Sequence, residues 1–142
     1  MPHWNPTIKG SFYGLTADNN KEDLITAAFK SIAYQLKDIL KLLKTEGLEV
    51  EGLSIDGGMT VNKTFCQLLS DLLEEQVNVS KNPESTAIGA ASVAMVGVGL
   101  LSSIDDLKKV SSVGATYNPK GSLDQEDYSN WQENLDLLKA NY

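Results

Sequence analysis

Leu53-Ser54-Ile55-Asp56-Gly57-Gly58-Met59-Thr60-Val61-Asn62 is the stretch on which the fold turns. Val50, Leu53 and Ile55 predict a buried strand. Phe65, Leu68, Leu69, Leu72 and Leu73 recur at three- and four-residue steps and predict a helix from about Val61 to Glu74. Between the two lies a tight glycine turn. In α/β proteins this junction is where ligands settle, because unpaired N–H groups and the positive end of the helix dipole favour a phosphate or a polar edge. Glycine also lets a ligand approach the backbone. Two readings stand side by side: a turn that needs glycine for its own geometry, and a ligand turn. Asp56, just before the glycines, reads as a carboxylate that hydrogen-bonds the turn.

Working outward, Lys21 to Lys44 predicts a long helix, with Ile25, Phe29, Ile32, Leu36, Ile39 and Leu43 as its apolar stripe, widened by Ala28 and Leu40. Asn19 or Asn20 is its cap, and Glu22 and Asp23 face its dipole. Lys37, Lys41 and Lys44 suit its C-terminal end, and Gly47 stops it. Ahead of it, Met1 to Pro6 is irregular, and Lys9 to Leu15 reads as a short strand or strand pair. Downstream, Gln76 to Ser80 is a strand, and Asn82-Pro83-Glu84-Ser85 starts a helix. Thr86 to Val98 is made almost entirely of small residues and is expected to pack closely against a neighbour. Ser103 to Val110 reads as a short helix and Val113 to Tyr117 as a strand. Ser122-Leu123-Asp124-Gln125 has capping-box spacing for a last helix to about Tyr142, striped by Tyr128, Trp131, Leu135, Leu138 and Tyr142. Strands alternating with helices predict an α/β fold with a parallel component.

Composition narrows the function classes. A chain of 142 residues fits one domain, read here as spanning 1–142, and buries roughly 70% of its unfolded surface. With 12 basic and 19 acidic side chains the net charge is −7. That argues against nucleic acid or an anionic membrane as the main partner. The single cysteine, Cys66, excludes an internal disulfide, suggests a reducing, cytoplasmic setting, and has packing as its default role. One histidine, His3, excludes any catalytic pair of histidines, and no Cys/His spacing suggests a metal site. No signal peptide is expected, and the longest apolar run, Ala87 to Leu101, falls short of the ~20 residues a bilayer span needs.

The common nucleotide motifs, the Walker phosphate loop and Gly-x-Gly-x-x-Gly, are absent. Asp56 and Asp71 are candidate acid–base groups without an evident pair. Family likeness carries the reading further. Pro2-His3-Trp4-Asn5-Pro6 followed by Gly10-Ser11-Phe12-Tyr13-Gly14-Leu15-Thr16, then Asp23, Leu24, Ala27, Ala28 and Phe29, resembles a signature of the FGGY carbohydrate kinases. Lys30 departs from it, standing where an acidic or amide residue is usual. Asp56-Gly57-Gly58-Met59-Thr60-Val61-Asn62 resembles the nucleotide turn of the branch that phosphorylates glycerol, and Thr86-Ala87-Ile88-Gly89-Ala90-Ala91 resembles the family's small-residue helix.

The resemblance implies part of a ribonuclease-H-like, actin-like ATPase domain, the C-terminal one of two with ATP held between them. It implies transfer of the ATP γ-phosphoryl group to glycerol with Mg²⁺ assistance. Gly58 and Asn62 match nucleotide-contacting positions (ATP or ADP), and Gly57 completes the turn. The family's base, glycerol contacts and N-terminal phosphate turn have no counterpart in this sequence. The chain is therefore expected to be a fragment with no catalytic residue of its own, inactive alone, with homo-oligomer formation left open. The alternatives are an FGGY kinase for a pentulose or gluconate, and a non-catalytic actin-like interaction module.

Overall fold

The computed structural model describes residues 5–50, 52–82, 84–103, 105–106, 113–121 and 124–141. His3, Trp4, Pro83, most of the expected helix over 103–110, the cap residues Ser122 and Leu123, and Tyr142 lie outside them. The chain divides into two compact units. One comprises Met1–Glu51, Asp71–Glu74 and Pro119–Tyr142; the other comprises Gly52–Ser70 and Glu75–Asn118.

In the first unit, α1 spans Lys21–Thr45. Asn20 caps it: the side chain accepts from Glu22 N (2.9 Å) and Asp23 N (3.1 Å), while Asp23 accepts in return from Asn20 N at 2.9 Å. At the other end Gly47 adopts φ +77, and Leu48 N donates to Leu43 O while Gly47 N donates to Lys44 O. This left-handed stop is the role glycine plays best. The last helix, here α4, runs Gln125–Ala140, and Asp124 is its cap, accepting from Glu126 N and Asp127 N. The helix therefore starts on Asp124, two residues past the expected Ser122.

One sequence expectation fails in this unit and another is met only in part. Residues 9–15 form no strand; Gly14 turns at φ +72, and Phe12, Tyr13 and Leu15 stay exposed. The buried residues of α1 are Ala33, Tyr34, Lys37 and Leu40; of the expected stripe Leu40 is thus buried and Phe29, Leu36, Ile39 and Leu43 are half-buried, whereas Ile25 and Ile32 are exposed. The deepest burial is thus centred about 100° around the helix from the middle of the aliphatic stripe. Spacing of aliphatic residues misses amphipathic side chains that bury their carbon bodies. Lys37 is such a residue: it does not serve its own helix end but donates to Leu72 O at 3.0 Å, near the C-terminus of α2 (Lys63–Leu73), with Glu74 at 3.8 Å. Tyr34, Tyr128 and Trp131 cluster beside it, with ring centroids 5.4–6.2 Å apart; Tyr128 and Trp131 stack, and Tyr34 is tilted against both.

The second unit holds a mixed sheet of order β1-β2-β3, with β1 at Leu53–Ile55, β2 at Val77–Ser80 and β3 at Val113–Tyr117. β1 and β2 are parallel (Leu53 opposite Val77, Ile55 opposite Val79), and β3 runs antiparallel to β2. Val77 and Val79 are buried with Phe65, Cys66 and Leu69. Ser70, fully buried, places its hydroxyl 2.8 Å from Glu75 O and 3.1 Å from Tyr117 O, a tie that no apolar pattern foretells.

The small-residue helix is α3, Ser85–Gly97. The expectation of close packing is not met: only Ser92 is buried, and a Cβ built on Gly89 or Gly97 meets nothing within 4 Å. Close approach occurs instead at Gly114, where a Cβ would lie 2.8 Å from the Lys81 Cα, beside the β-bulge at Val79/Ser80. Gly114→Ala is accordingly expected to lower stability by about 1–3 kcal/mol in urea unfolding. An unchanged midpoint would show that β3 shifts freely.

Candidate functional site

The C-terminal end of β1 leads through Asp56 into Gly57, whose φ of +97 lies in the region open to glycine and strained for other residues. Gly58–Val61 then form a 3₁₀ turn, where a continuous α-helix from about Val61 was expected, and α2 begins at Lys63. The turn is pinned from within. Thr60 donates to Gly57 O twice, through its N–H at 3.1 Å and its hydroxyl at 2.7 Å. Asp56 was expected to hold the turn by its carboxylate, yet no hydrogen bond of that side chain is present among the described residues. Thr60 does the work instead.

Asn62 closes the turn and opens the next helix. Its N–H donates to Met59 O at 3.1 Å, and its side-chain carbonyl accepts from Phe65 N at 3.1 Å, a helix cap. With the oxygen so engaged, the Nδ2 donors are the part of the amide left for a ligand. Gly58 lacks a positive φ, and a Cβ built there meets nothing within 4 Å. The two glycines therefore differ: Gly57 is required by the backbone, and Gly58 leaves an open surface. On either side of Thr60, Met59 and Val61 are exposed to 43% and 79% and give the turn an apolar surface. Gly57, Gly58 and Asn62 thus fall together on one short shelf.

The remaining candidates serve the fold. Cys66 is fully buried, burial pushes its thiol up from the ordinary range, and its Sγ lies 3.4 Å from Thr60 O. Asp71, in the first unit, accepts from Lys120 N at 2.7 Å and Gly121 N at 3.2 Å and so anchors the approach to α4. Among the described residues no group of three or more His, Cys, Asp or Glu side chains is placed to hold a metal ion, and no helix is long and apolar enough to cross a membrane.

The sequence profile of the FGGY family of carbohydrate kinases, C-terminal domain, matches residues 1–98. The chain belongs to this family. Within the FGGY family it is 36% identical over 135 residues to the glycerol kinase of Pediococcus pentosaceus, covering 93% of this chain and 27% of that protein. It is likewise 36% identical over 142 residues to the glycerol kinase of a Marinomonas species, covering 98% of this chain and 28% of that protein. Among solved structures, Plasmodium falciparum glycerol kinase with ADP superposes with a TM-score of 0.70 at 30% identity, over 99% of this chain and 28% of that one. Xylulose kinase from Rhodospirillum rubrum superposes at 0.72 with 24% identity, a likeness of fold alone. The chain thus spans just over a quarter of the length of the relatives it matches, and its mixed α/β architecture is part of the ribonuclease-H-like, actin-like fold of FGGY kinases.

Proposed function

We propose that residues 1–142 are the nucleotide-side share, a fragment of the C-terminal domain, of an ATP-dependent kinase that phosphorylates glycerol. The observation that carries this reading is the Gly57–Asn62 turn, in a chain about a third identical to glycerol kinases. Gly57 sets the turn, Gly58 gives the nucleotide bare backbone to lie against, and the Asn62 amide donates to it. ATP carrying Mg²⁺ is the substrate that meets this shelf. In the reaction, the bond from the γ-phosphorus to the β,γ-bridging oxygen breaks and a bond forms to a primary hydroxyl of glycerol. ADP leaves, and the hydroxyl proton passes to a base. Positioning and charge neutralisation supply most of the rate in such transfers. No residue of this chain takes the proton; the share of the relatives that the chain does not span supplies the base and the glycerol contacts. The setting that suits an ATP-dependent enzyme of this kind is the cytoplasm.

The test is a chimera in which this chain replaces its counterpart in the Pediococcus pentosaceus glycerol kinase. Glycerol-dependent ADP release is expected from the chimera, with glycerol preferred over xylulose and gluconate, and none from the 142-residue chain alone. Without orientation and a base, proton removal has no source. A folded chimera without glycerol turnover, or turnover by the isolated chain, would overturn the reading.

A further inference from the structure

Asp56–Gly57 is the one Asp-Gly step in the sequence, which has no Asn-Gly step. It lies where β1 has ended and the 3₁₀ turn has not begun. Asp56 is exposed, and its carboxylate makes no hydrogen bond among the described residues, since Thr60 holds the turn in its place. The Gly57 N–H is equally uncommitted there. The β1–β2 ladder opens with Leu53 N donating to Gln76 O at 3.1 Å and does not reach it, and the turn uses Gly57 through its carbonyl oxygen. No side chain crowds the approach to this nitrogen, and even a Cβ built on Gly57 meets nothing within 4 Å. The contrast with the rest of the chain is plain. The carboxylates of Asp23, Asp38, Asp71, Asp124 and Asp136 all accept hydrogen bonds, and every other aspartate is followed by a residue with a side chain.

A carboxyl and an amide nitrogen tethered through one Cα react intramolecularly when neither is held by other bonds. We infer that Asp56–Gly57 is a site of spontaneous backbone modification, rearranging through a cyclic imide to isoaspartate and so distorting the shelf. Gly57 N attacks Cγ of the Asp56 carboxyl in its protonated form. The N–Cγ bond forms, the Cγ–O bond breaks, and water leaves with the amide proton. Water then adds to either imide carbonyl. Opening at Cγ restores aspartate. Opening at the main-chain carbonyl breaks its bond to nitrogen, and the backbone then runs through Cβ and Cγ, one methylene longer, with a carboxylate branching from Cα. No oxidant or cofactor takes part. The longer backbone displaces Gly57 O from the two Thr60 donors that pin the turn. The inference needs no nucleotide, so it stands or falls apart from the kinase reading.

The folded chain is held in warm, mildly acidic buffer and sampled over weeks. Brief digestion with trypsin releases residues 45–63, between the cuts after Lys44 and Lys63, and electron-transfer fragmentation locates the isoaspartate. A second peptide of unchanged mass and shifted retention is expected, accumulating about tenfold or more faster than isoaspartate at any other aspartate. Its rate is expected to stay within about tenfold of that in a synthetic peptide of residues 53–60, because the fold holds neither reacting group. Asp56→Glu would need a six-membered ring and is expected to stop the reaction. Asp56→Asn, a neutral amide from which ammonia leaves, is expected to speed it. Neither substitution should change the melting temperature, since the Asp56 side chain bonds nothing in the turn, whereas the separated isoaspartyl chain should melt lower. A folded chain that reacts more slowly than these limits, an undiminished second peptide in Asp56→Glu, or an isoaspartyl chain that melts like the parent would overturn the proposal.

Discussion

Tyr128→Ala is expected to cost about 3–5 kcal/mol of stability, read as a shifted midpoint in urea unfolding. The ring is 1% exposed and lies nearly parallel to Trp131, at 11° and 6.2 Å between centroids. The Lys41 ammonium sits 4.2 Å from its centroid and that of Lys37 5.8 Å away. Its hydroxyl donates to Asp38 and accepts from Gln132 Nε2 at 3.1 Å. Tyr128→Phe keeps the ring and removes these bonds, one of them to a charged group, and should cost about 1.5–3 kcal/mol. Trp131→Ala, at a half-buried position, should cost less than Tyr128→Ala. Equal losses for Tyr128→Ala and Tyr128→Phe would show that the ring itself contributes nothing. The pH dependence has a definite sign. Burial raises both phenols, Tyr34 to about 12, so the folded state holds protons that the unfolded chain releases from about pH 10. This part of the stability is fully present below pH 10 and is lost as pH climbs towards 12.

Gly58→Val is expected to raise the Michaelis constant for ATP more than tenfold in the chimeric kinase, equivalent to about 1.4 kcal/mol or more, and to leave that for glycerol nearly unchanged. Two methyl groups would occupy the open surface over which the nucleotide is proposed to pass. Because Gly58 has no positive φ and its built Cβ meets nothing, the melting temperature should hold. Gly57→Ala is the contrasting case, since at φ +97 it should destabilise the turn by about 1–2 kcal/mol. Asn62→Asp keeps an oxygen for the Phe65 N–H and removes the donor amide. It should raise the ATP constant about 2- to 12-fold. Asn62→Ala would confound the comparison, because losing the cap alone costs about 0.5–2 kcal/mol. A normal ATP constant in folded Gly58→Val and Asn62→Asp proteins would end the nucleotide assignment of this turn.

What sequence reveals and hides follows from how local each signal is. The Asn20 cap, the Gly47 stop, the strand–glycine–helix junction and the three strands near Leu53, Val77 and Val113 are read within a few residues, and all appear where expected. The junction also located Gly57, Gly58 and Asn62 together. It could not separate the two glycines, because side-chain identity is the same and only φ distinguishes them. Nor could it show that Asn62 already spends its oxygen on Phe65, or that Thr60 replaces Asp56 in holding the turn. Residues 9–15 read as a short strand or strand pair between two glycines but pair with no strand. Lys37 and Ser70 are buried by partners 35 and 47 residues away, Leu72 O and Tyr117 O, which no periodicity encodes.

Helix α3 sets how the chain behaves in solution. Thirteen residues, apolar on every side, bury only Ser92; Val93 is 61% exposed, and Val98, the cap just past the helix, 73%. Water-facing apolar surface of this kind makes molecules adhere unless another force keeps them apart. Here that force is the net charge of −7. Colloidal stability therefore rests on ionised carboxylates: it is greatest in dilute buffer above neutrality, weakens as salt screens the charge, and vanishes towards the isoelectric point near 4.6.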